Sequence, residues 1–395
     1  MTNERPWTHP DGANSARTVR DGSVAVGLIP APDLPEKVAK ELAPELPGLL
    51  GRRIDTRLSW EVSVFVDPLT GTEREDPEIL DVCRERLERE GWDLAICLTD
   101  LPVYRSDYLV MADVSAARGV ALVSVPALGA TRLRPRVREA TLLLLEELYT
   151  RIPKLGPDDP PVNGGEEGSK TAGSTGLARP FRRVEPPDED MKETGVEARF
   201  AAPGALGHPR LLSGMVLANR PWKILPSFKG AIAAAFATGA YALVLPTIWT
   251  LADAVGWPRL LALMVAAIVA MVAWVIVGHH LWERSSNRED RHWAALYNSV
   301  TVLTITVAVL FAYVMLFALV FLAAWIFVPG HYLQTTLKHP VGFGDFLILA
   351  WMATSLATVA GALGASLEHE DTVREAAYGY RQRHRQEDED DSAAR

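Results

Sequence analysis

The chain has 395 residues, enough for two or three domains, and its formal net charge of −9 excludes a generally basic nucleic-acid surface. Its mean hydropathy of +0.07 averages a charged N-terminal half with a strongly apolar C-terminal half. Only two cysteines occur, Cys83 and Cys97, with no CxxC pair; a disulfide framework or cysteine zinc site is excluded, and both read as reduced core thiols.

Residues 1–22 are polar and rich in Pro, Gly and Asn, a composition that predicts disorder. The first twenty residues hold no apolar h-region, so no cleavable signal peptide is expected. From Ser23 to about residue 150 the pattern is that of one α/β domain. Val24–Ile29 is a short apolar run ended by Pro30, a buried strand. Asp33 is placed to cap a helix with Pro35 in its first turn and Leu34, Val38, Leu42, Leu46 and Leu49 or Leu50 at helical spacing. Leu58–Val66 alternates, with Trp60, Val62, Val64 and Val66 on one face, which predicts a half-buried strand. A charged amphipathic helix over Pro77–Glu90 follows. Three further strands are expected at Asp93–Leu98, Tyr108–Val114 and Val120–Val125, and a closing helix at Val137–Tyr149. The order β-α-β-α-β-β-β-α predicts a mixed sheet with flanking helices.

Residues 151–209 lose their large apolar residues and gain Pro, Gly, Glu, Asp, Ser and Thr, so they read as a disordered linker. The stretch 210–229 is basic and mildly apolar, suited to a membrane surface. Four apolar runs then cover about 230–251, 260–277, 299–328 and 346–367. A run of about 20 apolar residues crosses the hydrocarbon core, so each qualifies as a span. Pro246 lies near the far end of the first, where a kink is tolerable, and the third is long enough to tilt or project. A charged tail, 371–395, completes an all-α four-helix transmembrane domain of residues 210–370.

Lys and Arg set the orientation. Arg210, Arg220, Lys223, Lys229, Arg284, Arg288, Arg291, Arg374, Arg381, Arg383 and Arg385 fall on one side, whereas the other has Arg259 and Lys338. The expectation is a multi-pass protein of the cell inner (plasma) membrane with N- and C-termini cytoplasmic. Trp222, Trp249, Trp257, Trp282, Trp293, Trp325 and Tyr332 lie near span ends, as an aromatic belt would. No charged residue sits centrally in any span, which argues against ion-coupled transport.

Several motifs invite chemistry. Gly164 to Thr171 approximates a phosphate-binding loop, but Ser169 stands where glycine is needed, and Glu166 and Glu167 would repel the anion. Gly27 ends a first strand as in dinucleotide folds, without the second glycine that admits a pyrophosphate. His279 and His280 are adjacent and point about 100° apart on a helix. The pair therefore forms no ready-made metal clamp, and His331 and His339 lie across the membrane, so no metal or other cofactor is expected. Asp100 and Asp113 sit near the ends of expected strands, where clefts form, and are the candidate catalytic residues. Ala357, Gly361 and Ala365 make a small-residue stripe for helix packing, within the chain or against a second copy.

Residues 23–150 resemble the N-terminal part of an archaemetzincin-like zincin domain. The resemblance lies in a strand-helix start, then Trp92-Asp-Leu-Ala-Ile-Cys-Leu-Thr-Asp100, Val120–Val125 and a helix from Arg134. That family carries HExxH on the last helix; here the helix reads Arg138-Glu-Ala-Thr-Leu-Leu-Leu-Leu-Glu-Glu147, with no histidine, implying that metal and catalysis are lost. The whole chain resembles multi-pass membrane proteins of high-GC Gram-positive bacteria, notably at Ala218-Asn-Arg-Pro-Trp222 and Ala376-Ala-Tyr-Gly-Tyr380. That resemblance implies a bacterial inner-membrane location and points to no particular activity. Three readings stand. The first is a non-enzymatic membrane protein whose cytosolic α/β domain binds, senses or assembles, with the lipid bilayer and a protein partner or second copy as partners. The second is a membrane-tethered enzyme. The third is a channel or carrier for a neutral or apolar compound, lined by Thr301, Thr304 and Thr306.

Overall fold

The computed structural model describes residues 22–71, 76–105, 108–152, 182–184, 195–201, 204–222, 226, 229–282 and 290–365. The polar N-terminal stretch, the glycine-rich 164–171 segment, the charged tail and Ala376–Tyr380 lie outside them. The chain divides into two compact units, Met1–His208 and Pro209–Arg395.

The N-terminal unit is an α/β domain, as the element order predicts. Its sheet is built from β1 (Ser23–Pro30), β2 (Ser59–Val64), β3 (Leu94–Thr99), β4 (Val103–Arg105), β5 (Tyr108–Ser115), β6 (Val120–Ser124), β7 (Arg182–Val184) and β8 (Ala198–Ala201). The strand order is β2-β1-β3-β6-β5-β8-β7, with β4 paired to β5. β2, β1, β3 and β6 run parallel, and β5, β8 and β7 extend the sheet antiparallel. β3 and β6 are buried at every position, as their unbroken apolar runs require.

Four helices flank the sheet: α1 (Leu34–Leu42), α2 (Leu46–Arg53), α3 (Asp76–Glu90) and α4 (Leu133–Arg151). The single helix expected from Asp33 onward is two: Ala43 still has helical φ/ψ, but Pro44 after it supplies no N–H to continue the ladder. Asp33 does not cap α1: its φ is 73° and its side chain makes no cap hydrogen bond. A short strand, β4, falls where none was predicted. The expected linker needs a larger correction, since residues 182–184 and 198–201 within it form β7 and β8 of the sheet. Gly27 has a packing reason rather than a nucleotide one, because a Cβ there would run into the Trp92 ring.

The C-terminal unit is helical: α5 (Gly204–Asn219), α6 (Lys229–Val244), α7 (Pro246–Ala254), α8 (Trp257–Gly278), α9 (Asp290–Phe327), α10 (Gly330–Leu337) and α11 (Phe343–Ala365). Among the described residues three helices, α8, α9 and α11, are long and apolar enough to cross a membrane. α6 and α7 pass that test only together, and they are bent by 88°. The predicted first span is therefore broken rather than mildly kinked. Leu245 is extended and Pro246 opens α7, as proline at a first helical position should. α9 begins earlier than expected, at Asp290, and α10 forms where the sequence suggested a loop.

Apolar residues lie both inside and outside this bundle. Ala235, Leu316, Val320, Ala350, Ala353 and Ala357 fill one core region, while Val265, Val269, Phe311, Val314 and Leu322 are exposed on its outer surface. Such a surface suits hydrocarbon and not water. Trp257, Trp282 and Trp325 are exposed, as interfacial residues would be. Trp249 is not: it is buried, its Nε1 donates to the Leu243 carbonyl at 3.0 Å, and Tyr332 meets it edge-on at 5.4 Å.

Candidate functional site

Asp100 and Asp113 are not brought together. Asp113 on β5 is level with Leu122 on β6, which is level with Cys97 on β3. Asp100 lies three residues beyond Cys97, so the two Cα atoms are roughly 14 Å apart at about 3.3 Å per residue and 4.8 Å per strand. Asp113 has an internal partner that sequence reasoning missed. Arg199 on β8 donates from Nε to its Oδ1 at 2.8 Å and from Nη2 to its Oδ2 at 3.0 Å, and both side chains are 0% exposed. This fork-to-fork geometry is the strongest arrangement open to a carboxylate and guanidinium. The surrounding segment is tied down as well. Glu197 accepts from the Ala116 and Ala117 amides at 2.6 and 3.1 Å, and the Ser115 hydroxyl donates to the Gly195 carbonyl at 2.7 Å.

Asp100 sits at the carboxyl end of β3 and is almost fully buried. Nearby loops are fixed: the Leu101 amide donates to Thr99 Oγ1 at 3.1 Å, and Ser124 Oγ donates to the Leu101 carbonyl at 2.6 Å. At the end of β2, Asp67 is also buried, accepts from the Leu69 amide at 3.0 Å and pairs with Arg86 at 3.3 Å. β1 lies between β2 and β3, and the chain's order reverses there, the position where open α/β sheets form ligand crevices. Cys83 and Cys97 are both free and buried. Burial pushes the Cys97 thiol well above its ordinary pKa, helped by neighbouring Cys83, so it stays protonated and unreactive.

In the helical unit the small-residue stripe packs within the chain. A Cβ on Gly361 would lie 2.9 Å from Ala235 Cβ and 3.1 Å from the Ala231 carbonyl oxygen. A Cβ on Gly239 would lie 3.4 Å from Ala357 Cβ and 2.9 Å from Val320 Cγ2. Ala357 and Gly361 therefore meet a matching stripe, Ala231, Ala235 and Gly239, on an antiparallel α6. Ala365 ends α11, and its side chain lies outside those described. Two of the three threonines suggested as a channel lining, Thr304 and Thr306, are engaged. Thr304 is buried and accepts from Asn219 Nδ2 at 3.3 Å, and Thr306 donates to the Val302 carbonyl at 2.7 Å.

A third grouping was not anticipated. Asp253 in the last turn of α7, His339 just after α10 and Asp345 in the first turn of α11 each offer a ligand atom, all within 4.8 Å of one another. His339 Nε2 is 3.1 Å from Asp253 Oδ1, and Nδ1 donates to the Pro340 carbonyl at 3.0 Å. Asp345 Oδ2 accepts from the Gly342 amide at 2.7 Å, leaving Oδ1 for another partner. The Pro340 carbonyl first, then the Asp253 carboxylate, raises the imidazole pKa above its ordinary value. Beside the grouping lies a small hollow of about 10 Å³, with Trp249, Leu333, Leu337 and Ile348 in its wall. Ligand pockets run to ~300–1,000 Å³, so there is no room here for an organic substrate. No protein-family model, curated protein or solved structure matches the chain.

Proposed function

We propose that the chain is a multi-pass protein of the bacterial inner membrane whose cytosolic α/β domain acts by binding or assembly and not by catalysis. One observation carries this reading: Asp113, a candidate acid–base group, is fully buried and neutralised by Arg199 in a strand-to-strand fork. A carboxylate so held cannot exchange protons with a substrate, and its work is to fasten β8 to the sheet. Orientation rests on the Lys and Arg bias together with α6, which lies antiparallel along α11 from Gly361 to Ala357 and so covers the same depth. Four passages return the chain to its starting side. The two native cysteines are buried, so introduced cysteines report cleanly. With a membrane-impermeant maleimide, Gln334→Cys on α10 is expected to label in intact cells, and Glu85→Cys on α3 only after permeabilisation. The reverse pattern refutes the orientation.

A membrane-tethered enzyme remains the second reading, favoured by Asp67 and Asp100 at the carboxyl ends of β2 and β3. A small molecule that stabilises the full-length protein, and whose effect Asp100→Asn abolishes, would put this reading first.

A further inference from the structure

We propose that Asp253, His339 and Asp345 form a binding site for one divalent transition-metal ion at the junction of α7, α10 and α11. The argument starts from the histidine tautomer. The Pro340 carbonyl can only accept, so His339 Nδ1 carries a proton in either charge state. In the neutral ring, Nε2 then presents a lone pair to Asp253 Oδ1 at 3.1 Å. Two lone pairs at that distance repel, so either a second ring proton or a metal ion lies between them. Metal-binding histidines commonly have this arrangement, one nitrogen facing the ion and the other donating to a backbone carbonyl.

The spacing fits an ion. Bonds of about 2.0–2.2 Å to nitrogen and oxygen place neighbouring ligand atoms about 3.0–3.4 Å apart in octahedral or tetrahedral coordination; the His339 Nε2–Asp253 Oδ1 separation of 3.1 Å lies in that interval, and the Asp345 ligand atom lies within 4.8 Å of both. Asp345 uses one oxygen on the Gly342 amide, which fixes the carboxylate, and its other oxygen is available.

Charge points the same way. Two carboxylates converge here, and Asp253 lies at the C-terminal end of α7, where the helix's own carbonyls are negative. His339 follows the C-terminal end of α10, which adds a second negative helix end. A proton on His339 offsets one of the two carboxylates, whereas a divalent ion offsets both. Three protein ligands leave positions open to water. One imidazole with two carboxylates takes Zn²⁺, Co²⁺ or Mn²⁺ in preference to Mg²⁺ or Ca²⁺, which favour oxygen alone. Partial exposure of the ligands allows exchange with solution.

The test uses the full-length protein in detergent, stripped with chelator and purified without a polyhistidine tag. Co²⁺ is titrated while its visible absorption is followed, and Zn²⁺ is then added in competition. One equivalent of Co²⁺, displaced by Zn²⁺, is expected. His339→Ala and Asp345→Asn should each weaken it at least about tenfold, while His331→Ala on α10 leaves it unchanged. Asp345→Asn is the decisive variant because it retains the His339–Asp253 pair. Where it fails to fold, Asp253→Asn replaces it, with the Zn²⁺-induced rise in melting temperature as the readout. Unchanged Co²⁺ binding in both His339→Ala and the carboxylate variant overturns the proposal and assigns the ion to other histidines or the acidic tail. Absence of saturable binding overturns it outright, leaving an exposed His–Asp ion pair only.

Discussion

Breaking the Asp113–Arg199 pair from one side should unfold the α/β unit far more readily than removing the pair altogether. Both side chains are fully buried and each makes charge-assisted bonds at 2.8 and 3.0 Å. Arg199→Met therefore leaves an uncompensated carboxylate inside the sheet, at a cost of about 3–5 kcal/mol. For a unit of this size about 3–5 °C accompanies each kcal/mol, so its melting temperature should fall by roughly 10–20 °C. The double variant Asp113→Leu with Arg199→Met removes both charges at once and should recover most of that loss, since apolar replacement of a buried pair is often neutral. Because the chain has two units, a global transition mixes them. Hydrogen exchange of the β5 and β8 amides in the full-length protein reads the α/β unit alone. Protection lost in Arg199→Met and restored in the double variant is expected. A single variant that costs less than about 1 kcal/mol would show that water reaches the pair, and the structural role assigned to Asp113 would fail.

Gly361→Val should separate α6 from α11, because its Cβ would meet Ala235 and the Ala231 carbonyl; a loss of about 1–3 kcal/mol in detergent melting is expected. If the stripe instead served a second copy of the chain, the same substitution would change the oligomeric mass with little effect on melting. Cys83 and Cys97 should resist a thiol reagent in the folded protein and both react after denaturation. The Cys97 pKa is raised on folding, so its contribution is complete below the ordinary thiol value of about 8.5 and is lost as pH rises above it. Stability of the α/β unit should thus decline in mild alkali, and Cys97→Ala should flatten that decline.

Where one physical signal dominates a segment, the sequence was readable. β3 and β6 are unbroken apolar runs, α8 and α11 are apolar over at least 18 residues, and all lie within a few residues of expectation. β8 was not readable, because it is only four residues, Ala-Arg-Phe-Ala, and a charge at its second position interrupts the apolar pattern. Arg199 belongs in a sheet only because Asp113 waits 86 positions earlier in the chain. The bend at Pro246 was visible as a proline, but its 88° angle depends on α7 packing beside α10 and α11, which no local pattern records. The His339 grouping was hidden for the same reason, with Asp253 also 86 residues away. Asp100 and Asp113 drew notice as carboxylates near strand ends, yet strand order and pairing register, not proximity in sequence, decide which groups meet.

The two carboxylate environments differ in the kind of cation each receives, and that difference separates structure from exchangeable chemistry. Asp113 is matched by a guanidinium that does not lose its proton at any ordinary pH and cannot leave, because Arg199 is part of β8. The pair is closed to solvent, so nothing competes for it. Asp253 and Asp345 face a histidine, which supplies at most one charge, and their side chains remain in contact with solvent. Their remaining negative charge faces solvent, where an arriving cation can meet it. The helical unit keeps its spans free of central charge and holds this grouping where the bent α7 and the short α10 pack against the start of α11. A site built from three helix ends needs those ends held together, and the broken first span places Asp253 where the other two ligands can reach it. Had α6 continued straight through Pro246, Asp253 would lie further along the same axis and away from the first turn of α11.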